Sequence, residues 1–125
     1  MAAYLIVFLG AGLGGALRHG VNLLAARLLG TGFPYGTLAV NVLGSFVMGV
    51  LVVLFARRGD PGQATRLLLT TGVLGGFTTF STFSLDTAVL IEGGARGIAL
   101  GYTLVSVLGS VGALFAGMAL ARGIG

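Results

Sequence analysis

The stretch "GGFTTFSTFSLDT", residues 75–87, places three phenylalanines and six hydroxyl-bearing side chains in thirteen positions of an otherwise strongly apolar chain. Gly72, Gly75 and Gly76, followed by Thr78 and Thr79, are poor formers of a helix at mid-membrane depth, so the segment is expected to break near residues 75–79. Carbonyls freed in lipid need partners, which places the break against protein or an ion. Carbonyl oxygens with no carboxylates nearby suit a hard monovalent cation. Phe77, Phe80 and Phe83 recur every three residues, with Ser81 and Thr82 between the last two and Ser84 after them. On a helix Phe80 and Phe83 share a face, and rings that present their positive edges can stabilise an anion without carrying charge. Standing alone, such a stripe is better explained as core packing; beside Asn41 and the serine track it becomes a candidate anion path.

The rest of the chain supplies the surroundings. Of its 125 residues, 56% are hydrophobic and 8% charged, with a mean hydropathy of +1.07, too little polar surface to coat a soluble globule. About 20 apolar residues cross a bilayer, so this length accommodates about four passes with short loops. The spans read as residues 3–24, 37–55, 65–91 and 97–120, separated by "GTGFPYG", by "ARRGDPGQ" and by the glycines before Arg96. They make one four-helix transmembrane domain over residues 1–125, an all-α integral membrane protein. The amino terminus lacks a basic leader and is expected to be an uncleaved first helix. The absence of cysteine excludes disulfides, thiolate metal sites and cysteine nucleophiles.

All seven Lys or Arg positions are arginines, spread along the chain and not gathered into a basic tract, so the net charge of +4 reads as helix-end anchoring and not as a nucleic-acid surface. Arg57, Arg58, Arg66 and Arg122 fall on the side of the termini, and Arg27 and Arg96 on the other, with Arg18 inside the first helix. So small a bias fits cytoplasmic termini, and it also fits a chain that inserts both ways and pairs antiparallel. Small residues spaced by four (Gly10 with Gly14, Gly97 with Gly101, Gly109 with Ala113 and Gly117) predict close helix contacts, within or between subunits.

Polar side chains at membrane depth are costly unless partnered or facing water. Thr37, Asn41 and Ser45 line one face of the second helix, and Tyr102, Ser106 and Ser110 one face of the fourth, with Thr103 beside them. A single Ser or Thr can bond its own helix backbone, but two stripes on separate helices suggest a path. Only Asp86 offers a carboxylate within a span, so proton-coupled exchange is poorly supplied and passive conduction fits better. Arg18 is either a snorkelling side chain or part of a positive vestibule, and His19 reads as structural.

"GTLAVNVLGSFVMG" (36–49), "GGFTTFSTFS" (75–84) and "GGALRH" (14–19), together with the four-helix layout and the length, resemble the Fluc family of bacterial fluoride channels. The resemblance implies an antiparallel, dual-topology homodimer in the bacterial plasma membrane. It would have two pores for passive fluoride export and a central sodium ion that is structural and not transported. By position, Asn41 resembles the family's pore asparagine, and Phe80 and Phe83 the phenylalanines whose ring edges face fluoride. Ser81 and Thr82 match the polar residues beside them, and Gly75 and Thr78 the residues whose backbone carbonyls hold sodium. Arg18 matches a vestibule arginine, while Tyr102, Ser106 and Ser110, with Thr37 opposite, match a polar track. An exporter of organic cations and a nonconducting helical scaffold are the rival readings. The first wants a carboxylate deep in helix one, where none exists, and the second leaves the polar stripes unexplained.

Overall fold

A computed structural model describes residues 1–124, all helices and connecting turns. Helix α1 spans Ala2–Leu29 and α2 spans Tyr35–Arg58. The third pass is assembled from α3 (Gln63–Arg66), a π-helical segment (Leu67–Leu74), α4 (Gly75–Phe77) and α5 (Phe80–Glu92). Helix α6 spans Arg96–Ile124. All four passes are long and apolar enough to cross a membrane, and most of their large apolar side chains face outward, as lipid-facing or subunit-facing helices require. The helices run past the predicted spans because arginines at their ends, such as Arg27, Arg57 and Arg58, extend them into the interfacial layer.

Two pairings organise the bundle. Helix α2 lies along α6, and α1 lies along the first half of the third pass. Both rest on backbone approach. A Cβ built on Gly49 would strike the Leu114 carbonyl, and one on Gly117 the Phe46 carbonyl, so the close contact of α2 and α6 needs glycine at both positions. In the other pair, Gly10 and Gly14 meet the backbone around Gly72 and Val73, while Gly76 meets that of Ala11. Without a hydrophobic force between helices in lipid, this close van der Waals fit is what binds them. The Gly97 and Gly101 pair, in contrast, touches nothing within the chain. At the end of the bundle that holds the amino terminus, Arg57 Nη1 donates to the Arg122 carbonyl at 2.7 Å, joining α2 to α6.

The third pass is interrupted within the expected range, at its far end. Gly72, Gly75 and Gly76 stay helical, and Gly72 and Gly76 serve packing against α1. The chain turns extended only at Thr78 (φ −90°, ψ 158°) and Thr79 (φ −154°, ψ 126°). Threonine tolerates extended backbone well because its branched Cβ is crowded in a helix. Gly44 on α2 leaves the space that the Thr78 methyl enters.

Candidate functional site

The break is held by side chains from both neighbouring helices. An extended residue presents its N–H and C=O to the same side, and a carboxamide can answer both. Thr79 donates its N–H to Asn41 Oδ1 at 2.8 Å, and Asn41 Nδ2 donates back to the Thr79 carbonyl at 3.0 Å. From α1, Arg18 Nε donates to the Gly76 carbonyl at 3.1 Å. Thr79 is also the N-cap of α5, its Oγ1 accepting from the Thr82 N–H at 3.2 Å. Two amides that a continuous helix would send to the Gly75 and Thr78 carbonyls, those of Thr79 and Thr82, are therefore committed elsewhere.

Beside the break lies a cavity of about 310 Å³ bounded by Asn41 and Ser45 of α2, by Thr78, Thr79, Phe80 and Phe83 of the third pass, and by Ser106 and Ser110 of α6. It contains no charged side chain. The Oγ atoms of Ser106 and Ser110 are buried and, among the described residues, have no hydrogen-bond partner. Buried hydroxyls are ordinarily satisfied, so two unsatisfied ones facing a single cavity mark a place for a polar occupant. The Phe80 and Phe83 rings lie 5.5 Å apart and tilted by 47°. Phe80 is 77% exposed, which leaves that side of the cavity open in the single chain.

From Phe83 a run of rings continues toward the α1–α2 loop: Phe83 to Tyr102 at 5.2 Å, Tyr102 to Phe33 at 5.4 Å edge-on, and Phe33 to Tyr35 at 4.9 Å. Tyr102 is fully buried, and its hydroxyl donates to Asp86 Oδ2 at 3.1 Å. This run borders an outer cavity of about 370 Å³, whose wall includes Asn22, Phe33, Thr37, Thr82 and Asp86.

The residues singled out in the sequence therefore fall into groups. Asn41, Phe80, Phe83, Ser106 and Ser110 share the inner cavity, whereas Thr37 and Thr82 border the outer one, with Tyr102 between them. Ser81 is exposed, its Oγ 3.3 Å from Thr79 Oγ1. Arg18 borders neither of these two cavities and instead reaches the break. Sequence reasoning missed Thr79 as the pivot of the break and Asn22 as part of the outer wall. Asn22 follows Arg18 by four residues, a spacing that puts both on one face of α1.

Residues 5–118 match the family described as CrcB-like protein, Camphor Resistance (CrcB). The chain belongs to the CrcB family. Its CrcB relatives include a protein of Rhodopseudomonas palustris (strain BisB5), 54% identical over 97% of this chain and 98% of its own length. Another, from Methylobacterium nodulans, is 57% identical over 97% of each chain, and a third, from Chelativorans sp. (strain BNC1), is 57% identical over 96% of each. All three bear the name fluoride-specific ion channel FluC, the name of a channel and not of an enzyme. This CrcB protein, with its four spans, is a multi-pass protein of the cell membrane.

Proposed function

We propose that this chain conducts fluoride passively out of the cytoplasm through the inner cavity, and that it does so as an antiparallel dimer with two pores. The observation that carries the reading is the pair of unpartnered buried hydroxyls, Ser106 and Ser110, facing the same uncharged cavity as Asn41, Phe80 and Phe83. Fluoride holds its water tightly, so a path through lipid must replace that shell with donors. The two serines and the second N–H of Asn41 are such donors. A fixed arginine in the cavity would trap the ion, whereas neutral donors and ring edges attract it weakly enough for release. The names of the relatives supply the choice of fluoride.

The exposed Phe80 ring supports the dimer, since a second copy placed there would close the open side of the cavity. A sodium ion at the centre is supported by the donor set at the break. The Gly75 and Thr78 carbonyls have lost their usual helical amides, and no cluster of three or more His, Cys, Asp or Glu side chains suited to a metal occurs among the described residues. These carbonyls, one set from each copy, would hold a monovalent cation by oxygen coordination and fix the register of the two subunits.

A fluoride-selective electrode that follows release from potassium-loaded liposomes containing the purified protein, with valinomycin present, tests the reading. Fluoride efflux well above protein-free vesicles is expected, with its loss in the Phe80→Ile, Phe83→Ile double variant. Efflux that survives the double substitution, or that equals empty vesicles in the parent protein, would overturn it.

A further inference from the structure

The geometry points to the main-chain amides of Phe80 and Ser81, at the N-terminus of α5, as additional donors to the small anion held in the inner cavity. This rests on the conducting role proposed above and adds a ligand set that side chains alone do not provide.

The amides of the first turn of a helix have no acceptor inside it. Here the i−4 carbonyls of Phe80 and Ser81 are those of Gly76 and Phe77, which lie across the extended residues Thr78 and Thr79. Gly76 has its carbonyl engaged by Arg18. The third amide, that of Thr82, is satisfied by Thr79 Oγ1, and none of the hydrogen bonds that cross between elements involves the first two. N–H bonds of a helix point along its axis toward its N-terminus. For α5 that direction is the break, where Thr78, Thr79 and Phe80 bound the inner cavity.

A second observation makes this more than a bare helix end. Ser106, only 6% exposed, lines the same cavity with an unpartnered Oγ, and Ser110 Oγ beside it is likewise unsatisfied. Donors from α5, from α6 and from Asn41 thus converge on one uncharged space. Helix α5 has 13 residues, long enough for its aligned peptide dipoles to place partial positive charge at its start. Interrupting the third pass consequently yields two ends of opposite polarity. The first half ends in free carbonyls suited to a cation, and the second begins with free amides suited to an anion. An uncharged pore acquires a localised positive field without a basic side chain.

The test uses the full chain in two forms. In the first, with 15N-labelled phenylalanine and serine, the Phe80 and Ser81 amide resonances are followed while fluoride is titrated into the micelle-embedded protein. In the second, made by chemical ligation, the amide between Phe80 and Ser81 is replaced by an ester, which removes one N–H and leaves every side chain in place. Saturable shifts of both resonances, and fluoride efflux slowed roughly tenfold or more in the ester form, are expected for a lost donor to an anion. Unmoved resonances, or an ester form as fast as its parent, overturn the inference and leave conduction standing if the parent still passes fluoride. Should the parent pass none, the titration decides alone: shifting amides retain the anion site without the channel, and silent amides remove both. If the ester form does not fold, the titration of the unmodified protein remains decisive.

Discussion

Replacing Asn41 by alanine removes both hydrogen bonds that hold Thr79 in the extended state, at 2.8 and 3.0 Å. A buried backbone group left without its partner costs about 1–3 kcal/mol, so two such groups give about 2–6 kcal/mol. The site adjoins a cavity that water can enter, which favours the lower part of that range, about 3 kcal/mol. At 1.4 kcal/mol per factor of ten, the Thr79 amide should exchange with solvent on the order of 100-fold faster in Asn41→Ala than in the parent. Hydrogen exchange read by NMR in detergent micelles measures this directly. Asn41→Asp is the informative companion. Its carboxylate still accepts from the Thr79 N–H, so exchange at Thr79 stays slow, but it opposes the Thr79 carbonyl and puts negative charge in the cavity, so fluoride efflux falls to background. Thr79 exchange in Asn41→Ala within twofold of the parent would refute the role assigned to this amide.

Gly117→Ala should lower the thermal unfolding temperature in detergent, because the added methyl meets the Phe46 carbonyl and overpacking of this kind costs about 1–3 kcal/mol. Gly101→Ala, with nothing near it in the chain, should leave the unfolding of the isolated subunit unchanged. Tyr102→Phe keeps the ring between Phe83 and Phe33 but deletes the hydroxyl that donates to Asp86, and it should slow fluoride efflux several-fold without loss of folding, read by electrode and by circular dichroism. At the α2–α3 loop, the Gly62 amide and Arg66 hold Asp60 below its ordinary value of 3.8. The loop contact is therefore complete above pH 3.8 and is lost as pH falls through the lower folded value. The Gly62 amide shift should titrate with a midpoint under 3.8 and stay flat at neutral pH.

The four spans were legible because lipid imposes composition directly: long apolar runs ended by arginine, glycine and proline admit few other readings. The break was legible as an anomaly, since hydroxyls and glycines crowd a place where a plain helix wants neither. Its position to the residue was not. Glycine signals both weak helix and close contact, and Gly72 and Gly76 turn out to serve contact with Gly10 and Ala11, leaving Thr78 and Thr79 to turn extended. The Asn41–Thr79 pairing joins residues 38 apart in sequence, and no local spacing announces which backbone a mid-membrane amide will meet. Nor did periodicity reveal the π-helical turn at Leu67–Leu74, since a widened turn leaves the apolar pattern intact. The fourth-helix stripe was legible from its spacing of four, yet its division, with Ser106 and Ser110 on the inner cavity and Tyr102 joined to Asp86 of α5, depends on how the third pass packs against α6.

Both side chains that quiet the break, Arg18 and Asn41, lie upstream of it in the chain. During synthesis the first two hairpin arms leave the ribosome earlier, so the kinked segment can meet its stabilising groups on arrival at the translocon. A circular permutant that begins with residues 63–92 would present that kink to the bilayer before either group existed, and should be retained at the insertion machinery or degraded.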